Sequence, residues 1–224
     1  MSGDLDNICK EDRDSALSSS RERTGDGNMM NKLAVVFPGI GYTVDKPLLH
    51  CSRRLASSLG YDVKLLPYTG FPKKVIGDRN RMEESYQIAL EQSVRMLSDT
   101  DLTRYEDILL IGKSIGTIVA ARLASESPVR DRTGLILYTP LQDTFLFPFT
   151  DAIAFTGSAD PWTRARTPIT QLCEERGIPC HVIPQANHSL ESDDVLQDVK
   201  NLEGIMERTR DYMLDHMHKK TPEF

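Results

Sequence analysis

The serine in 112-GKSIG-116 stands between two glycines, where the branched apolar run 108-ILLI-111 gives way to the helix-like 117-TIVAAR-122. A serine hydroxyl is a weak nucleophile until a base takes its proton, so Ser114 has chemistry to offer only if a histidine and a carboxylate reach it. The G-x-S-x-G spacing has a steric logic. A serine on a sharp strand-to-helix turn adopts a strained backbone, and Gly112 and Gly116 are small enough to let strand and helix close on each other. A glycine-flanked turn with a capping serine would use the same residues, so the rest of the chain must supply the partners.

The histidines are His50, His181, His188, His216 and His218. His50 falls in a helical segment and His181 in a strand, while His216 and His218 belong to a polar end expected on the solvated surface. His188 alone follows a strand inside a polar loop, 184-PQANHSLE-191, and is the candidate general base. For the carboxylate, Asp160 in 157-GSADPW-162 and Asp143 both lie beyond the end of a strand. The order nucleophile, acid, histidine favours Asp160, with Asp143 left open. Asp151 precedes its strand and is expected at the opposite edge. Oxyanion donors would be the N–H of Ile115, at the start of the helix, and the N–H of Ile40 in 38-PGIGYT-43, with Gly41 or Tyr42 as alternatives. That loop lacks G-x-x-x-x-G-K-[ST] and its glycines do not fit G-x-G-x-x-G, which argues against nucleotide phosphates.

These residues can meet only if the strands before them share one sheet. Branched runs occur at 33-LAVVF-37, 62-DVKLL-66, 108-ILLI-111, 135-LILY-138, 152-AIAF-155 and 181-HVI-183. Most are continuous rather than alternating, as in strands covered on both faces. Helical segments lie between them. The segment 46–59 opens on Lys46-Pro47; Met82, Tyr86, Ala89, Leu90 and Leu97 make a stripe in 79–98; 114–126 is apolar nearly all round. A shorter helix over about 167–176 ends at Gly177, and Val195, Val199, Leu202, Met206, Thr209 and Met213 make a stripe in 192–216. Strand-helix alternation predicts an α/β three-layer sandwich: a six-stranded, mostly parallel sheet with helices on both faces. Ligand sites of such sheets gather at the carboxyl ends of the strands, where all the candidate loops fall.

Composition narrows the function classes. The 224 residues suit one domain, expected over 31–218, with tails at 1–30 and 219–224; the first 30 hold seven acidic and four basic residues and little to bury. A net charge of -6 with no basic stretch argues against nucleic-acid binding. No apolar run approaches the roughly 18 residues of a membrane span, and no apolar leader opens the chain. Cys9, Cys51, Cys173 and Cys180 form no CxxC pair and no metal spacing, which favours reduced thiols in a cytoplasmic protein; a Cys173–Cys180 disulfide stays open.

Taken in order, GKSIG, GSADPW and ANHSLE resemble the α/β-hydrolase superfamily, closest to its small single-domain members. The resemblance covers about residues 32–216 and implies a serine hydrolase for esters or thioesters. It assigns Ser114 as nucleophile, Asp160 as acid, His188 as base, and the N–H groups of Ile40 and Ile115 as the oxyanion hole. It implies no cofactor, no metal, and a small-molecule acyl substrate as partner; it leaves the oligomeric state open. Two departures stand out. The first two strands of the full fold are missing, and 141-LQDTFLFPFTDA-152 leaves no room for a cap domain. The site is therefore expected to be open, with Phe145, Phe147 and Phe149 at its edge or in plain packing, and Trp162 as wall or packing. Arg164 and Arg166 are expected to be solvated. A silent binding module on the same fold, and a lyase or perhydrolase using the same triad, are the alternatives.

Overall fold

Branched and aromatic residues fill the four central strands, and these are buried nearly end to end: β1 (Lys32–Phe37), β3 (Asp107–Lys113), β4 (Thr133–Tyr138) and β5 (Ala152–Gly157). β2 (Asp62–Leu65) and β6 (Cys180–Ile183) are shorter and partly exposed, as edge strands are. The computed structural model describes residues 31–164 and 167–220. The expected tail over 1–30, Cys9, Arg166, residues 221–224 and the side chain of Arg164 lie outside the described residues. All strand pairs are parallel, in the order β2-β1-β3-β4-β5-β6. Phe37 is level with Gly112, Lys113 with Tyr138, and Tyr138 with Phe155, so the loops that follow these strands emerge along one edge.

Strand alternation sends side chains to two separate cores. Leu33, Val35, Phe37, Leu110, Leu135 and Leu137 face α2 (Arg79–Leu97), α3 (Ile115–Glu126) and α4 (Ile169–Glu174). Val36, Leu109, Ile111, Ile136, Tyr138 and Phe155 face α1 (Pro47–Ser58) and α5 (Val195–Lys220). Pro47 occupies the first turn of α1, and the Asp78 carboxylate caps α2 by accepting from the Asn80 and Arg81 N–H groups. α3 is apolar on nearly every side because it is enclosed by sheet, by α2 and by the link after β4. That link, Thr139–Asp151, holds only a 3-10 turn at Gln142–Leu146, and no domain is inserted there. The sheet order reverses between β1 and β3, so their following loops diverge and leave a crevice at their carboxyl ends.

Four expectations need correction. α4 spans six residues rather than ten, because Pro168 delays its start and a turn ending at Gly177, with φ +66°, closes it. α5 runs over Val195–Lys220, starting and ending later than the 192–216 expected for its stripe. Val195 and Val199 are 74% and 61% exposed, so the stripe of α5 packs only from Leu202 onward. Both residues border an open groove of about 400 Å³ with Leu48 and Leu190. Finally, His216 is not on the solvated surface but fully buried. It continues the Thr209–Met213 face of α5 and meets two carboxylates at the amino edge of the sheet. Its Nδ1 is 2.7 Å from Asp151 Oδ2, and its Nε2 makes an ion-pair contact of 3.0 Å with Asp107 Oδ1 that is not a well-aligned hydrogen bond. Buried carboxylates need such a partner, and the polar composition of the chain end concealed it.

Candidate active site

Ser114 links β3 to α3 with φ 54° and ψ -121°, a strained conformation for a residue with a Cβ. Its surroundings hold it there. The Ser114 N–H donates to Tyr138 O at 3.0 Å, and Ser114 O accepts from the N–H and Oγ1–H of Thr117 at 2.9 and 2.6 Å. The flanking glycines admit backbone where a side chain would stand. A Cβ on Gly112 would come within 2.8 Å of Thr117 Cα, and one on Gly116 within 2.2 Å of Phe37 O. β1, β3 and α3 thus meet at the serine.

His188 sits on the turn after β6. Asn187 ties that turn: its Oδ1 accepts from the N–H groups of Ser189 at 2.7 Å and Glu191 at 3.3 Å, and its O accepts from the Leu190 N–H. Asp160 follows β5, is 1% exposed, and accepts from the Trp162 N–H at 2.9 Å. The structure brings three of the expected residues together. His188 Nε2 is 2.8 Å from Ser114 Oγ, and His188 Nδ1 is 2.7 Å from Asp160 Oδ2. A carboxylate can only accept, so Nδ1 carries the proton, and Nε2 is free to accept from the serine hydroxyl. Asp143 is exposed on the 3-10 turn, and Asp151 lies at the opposite edge with His216. Burial lowers the pKa of His188; the hydrogen bond that Nδ1–H donates to Asp160 opposes this, and the positive charge of Lys113 adds to the lowering.

The loop after β1 lies against the nucleophile. A Cβ on Gly39 would be 3.2 Å from both Lys113 O and Ser114 Cβ, and the Gly39 N–H donates to Tyr42 O at 3.1 Å, closing the loop. Among the described residues neither the N–H of Ile40 nor that of Ile115, which opens α3, donates to a backbone carbonyl outside the helices and strands. Beside Ser114, the side chains of Ile115, Ile118 and Leu141 pack with Ile40, Met82, Tyr86, Phe147 and Trp162 in one apolar patch. The Trp162 ring lies 5.7 Å from the His188 ring, so it walls the site. Phe147 joins this patch, whereas Phe145 and Phe149 pack under Arg176 in the main core.

Sequence reasoning passed over one residue. Lys113, read as a variable position of the elbow, is 1% exposed. Its Nζ donates to Thr139 Oγ1 at 2.6 Å and to the carbonyl of His188 at 2.7 Å, 5.0 Å from the centre of the Tyr42 ring. Burial pulls its pKa down to about 7, against the attraction of Asp160 and Glu191. The signal was available, since strand alternation puts position 113 on the buried face of Leu109 and Ile111. Among the described residues no group of three His, Cys, Asp or Glu side chains could hold a metal ion, and no helix is long and apolar enough to cross a membrane.

No family model matches the chain, and no curated protein matches it by sequence. Solved structures do. A protein of unknown function from Agrobacterium tumefaciens, described as a candidate alpha/beta hydrolase, aligns with a TM-score of 0.57 at 16% identity over 87% of this chain and 89% of its own. Est1E from Butyrivibrio proteoclasticus, solved with ferulic acid bound, aligns with a TM-score of 0.59 at 14% identity over 84% and 90%. An esterase from Pyrococcus furiosus aligns with a TM-score of 0.57 at 14% identity over 84% of each chain. The chain therefore has the α/β-hydrolase fold, with six parallel strands and no cap domain among the described residues.

Proposed function

We propose that this chain is a serine hydrolase that cleaves an ester or thioester through an acyl-enzyme. The observation that carries the reading is the unbroken relay from Ser114 Oγ to His188 to Asp160, with both links under 3 Å. His188 Nε2 takes the hydroxyl proton as Ser114 attacks the carbonyl carbon. Asp160 fixes the tautomer and offsets the positive charge of the imidazolium. The N–H groups of Ile40 and Ile115 receive the developing oxyanion, a role worth about 10² to 10³ in rate per donor in comparable sites. The imidazolium then protonates the leaving group, and water, activated by the same His188, releases the acid.

The patch around Ile115, Leu141, Phe147 and Trp162 offers one substrate group an apolar, partly aromatic wall. A hydrophobic acyl or alcohol portion is favoured on that ground, a class to which the ferulic acid seen on Est1E belongs. Rapid mixing with p-nitrophenyl esters and acyl thioesters of increasing chain length tests the proposal. A burst of leaving group equal to the enzyme concentration, formed fastest with apolar acyl chains, is expected where release of the acid limits turnover. No turnover of any member would sink it.

A further inference from the structure

The residue before the nucleophile is a lysine, 1% exposed. Burying an ammonium is costly unless it gains partners, and a well-packed apolar residue would fill the same volume at lower cost. Lys113 spends its donors in a particular way. It reaches from the end of β3, just before Ser114, to the peptide carbonyl of His188, and to Thr139 Oγ1 on the link after β4. Nucleophile and base lie 74 positions apart in the chain, on separate loops. The Lys113 contact is a direct bond between the residue before the one and the backbone of the other.

We propose that Lys113 is a positioning residue for His188, its ammonium clamping the histidine turn to the elbow strand and setting a positive charge beside the imidazole. The proposal rests on the hydrolase reading for its effect on catalysis, though the clamp itself does not. Two consequences follow. A drift of the turn by about 1 Å would lengthen the 2.8 Å bond from Ser114 to His188 beyond useful reach, and misplacements of that size cost up to about 10² in rate. The charge also disfavours imidazolium and so keeps the base neutral as the solution becomes acidic. Lys113 itself is protonated below about 7, where a histidine without help would begin to protonate, so the charge is present where it is useful. The charged and titratable groups that face Lys113 are Tyr42 on the loop after β1, Asp160 on the loop after β5, and His188 and Glu191 on the turn after β6. The two carboxylates retain its proton; the imidazole and the Tyr42 ring, which stays un-ionised through burial, do not oppose its charge with one of their own.

NMR titration of the histidine rings in the full chain tests this, comparing wild type with Lys113→Met and Thr139→Val. Methionine keeps the apolar stem and removes the charge. The midpoint of His188 should move upward in Lys113→Met and upward by less in Thr139→Val, which removes one acceptor of the ammonium. His216, at the opposite edge, reports the fold in the same spectra, and its midpoint should not move. In parallel, kcat of Lys113→Met should fall at least about tenfold while KM changes less than about threefold. If Lys113→Met disturbs His216, Thr139→Val carries the comparison. A His188 midpoint that stays put or moves down while His216 is unchanged overturns the proposal. The titration needs no turnover, so the two readings fail separately. An upward shift in a protein that hydrolyses nothing leaves the clamp and removes the hydrolase. A fixed midpoint in an active hydrolase does the reverse.

Discussion

Gly116 approaches Phe37 so closely that a Cβ would stand 2.2 Å from the Phe37 carbonyl oxygen. The obstacle is backbone, and a second one follows at Pro38 O, 2.6 Å away. Relief would require β1 and its loop to move off α3, taking Gly39 and Ile40 from the side of Ser114. Gly116→Ala is therefore expected to lower stability by about 1 to 3 kcal/mol and activity by about 10² or more. Gly204, inside α5, has open space around its missing Cβ. Gly204→Ala should raise stability by roughly 0.5 to 1 kcal/mol and leave turnover alone. Thermal denaturation and steady-state rates of the pair separate close approach from helix propensity.

Asp160 holds His188 Nδ1 at 2.7 Å while almost wholly buried. Asp160→Asn preserves shape but presents an amide that can stabilise the wrong tautomer. A fall in kcat of about 10⁴ with little change in KM is expected. A loss under tenfold would contradict the role given to Asp160.

The pH profile follows from His188. Its pKa is lowered from the ordinary 6.5, chiefly by burial, and it must be neutral to accept the serine proton. Activity should therefore persist below pH 6.5 and fall only as pH drops through the lowered value, as one protonation in kcat/KM. An acid limb centred above 6.5 would contradict the environment described.

The buried cluster at the other edge governs stability rather than rate. Burial pulls the pKa of His216 down, but Asp107 and Asp151 outweigh it and the value is raised above 6.5. Burial likewise pushes Asp151 up, but His216, Lys219 and Tyr212 hold it at about 2. His216 adds stability in full below pH 6.5 and loses it as pH rises through its raised value. Asp151 adds stability above 3.8 and loses it as pH falls toward about 2. Both contributions are complete between these limits, so denaturant melts should show the cluster's largest effect near pH 5. His216→Ala, which takes the imidazolium away from two carboxylates and leaves them the hydroxyls of Tyr61 and Tyr212, should cost roughly 3 kcal/mol there and less in alkaline solution.

The strand runs and the three site motifs were legible because each is local: a continuous branched run, a glycine-flanked serine, a histidine in a polar turn. The helix starts at Pro47 and Asp78 were written in single residues for the same reason. Lys113 was legible as a buried position but not as a partner of His188, since that contact joins residues 75 apart on separate segments. His216 misled because it stands in a chain end with Asp215, His218, Lys219 and Lys220, while its neighbours in space are Asp107 and Asp151. The exposed Val195 and Val199 show the converse, an apolar period that continues past the surface it packs on.

The central claim is that Ser114 is a nucleophile activated by His188. Incubation with a fluorophosphonate, followed by peptide mass spectrometry, reads it directly. One phosphonate adduct on Ser114 is expected, absent in Ser114→Ala and slowed at least about 10²-fold in His188→Ala. Equal labelling of Ser114→Ala, or no adduct on a folded wild-type chain, would contradict the account.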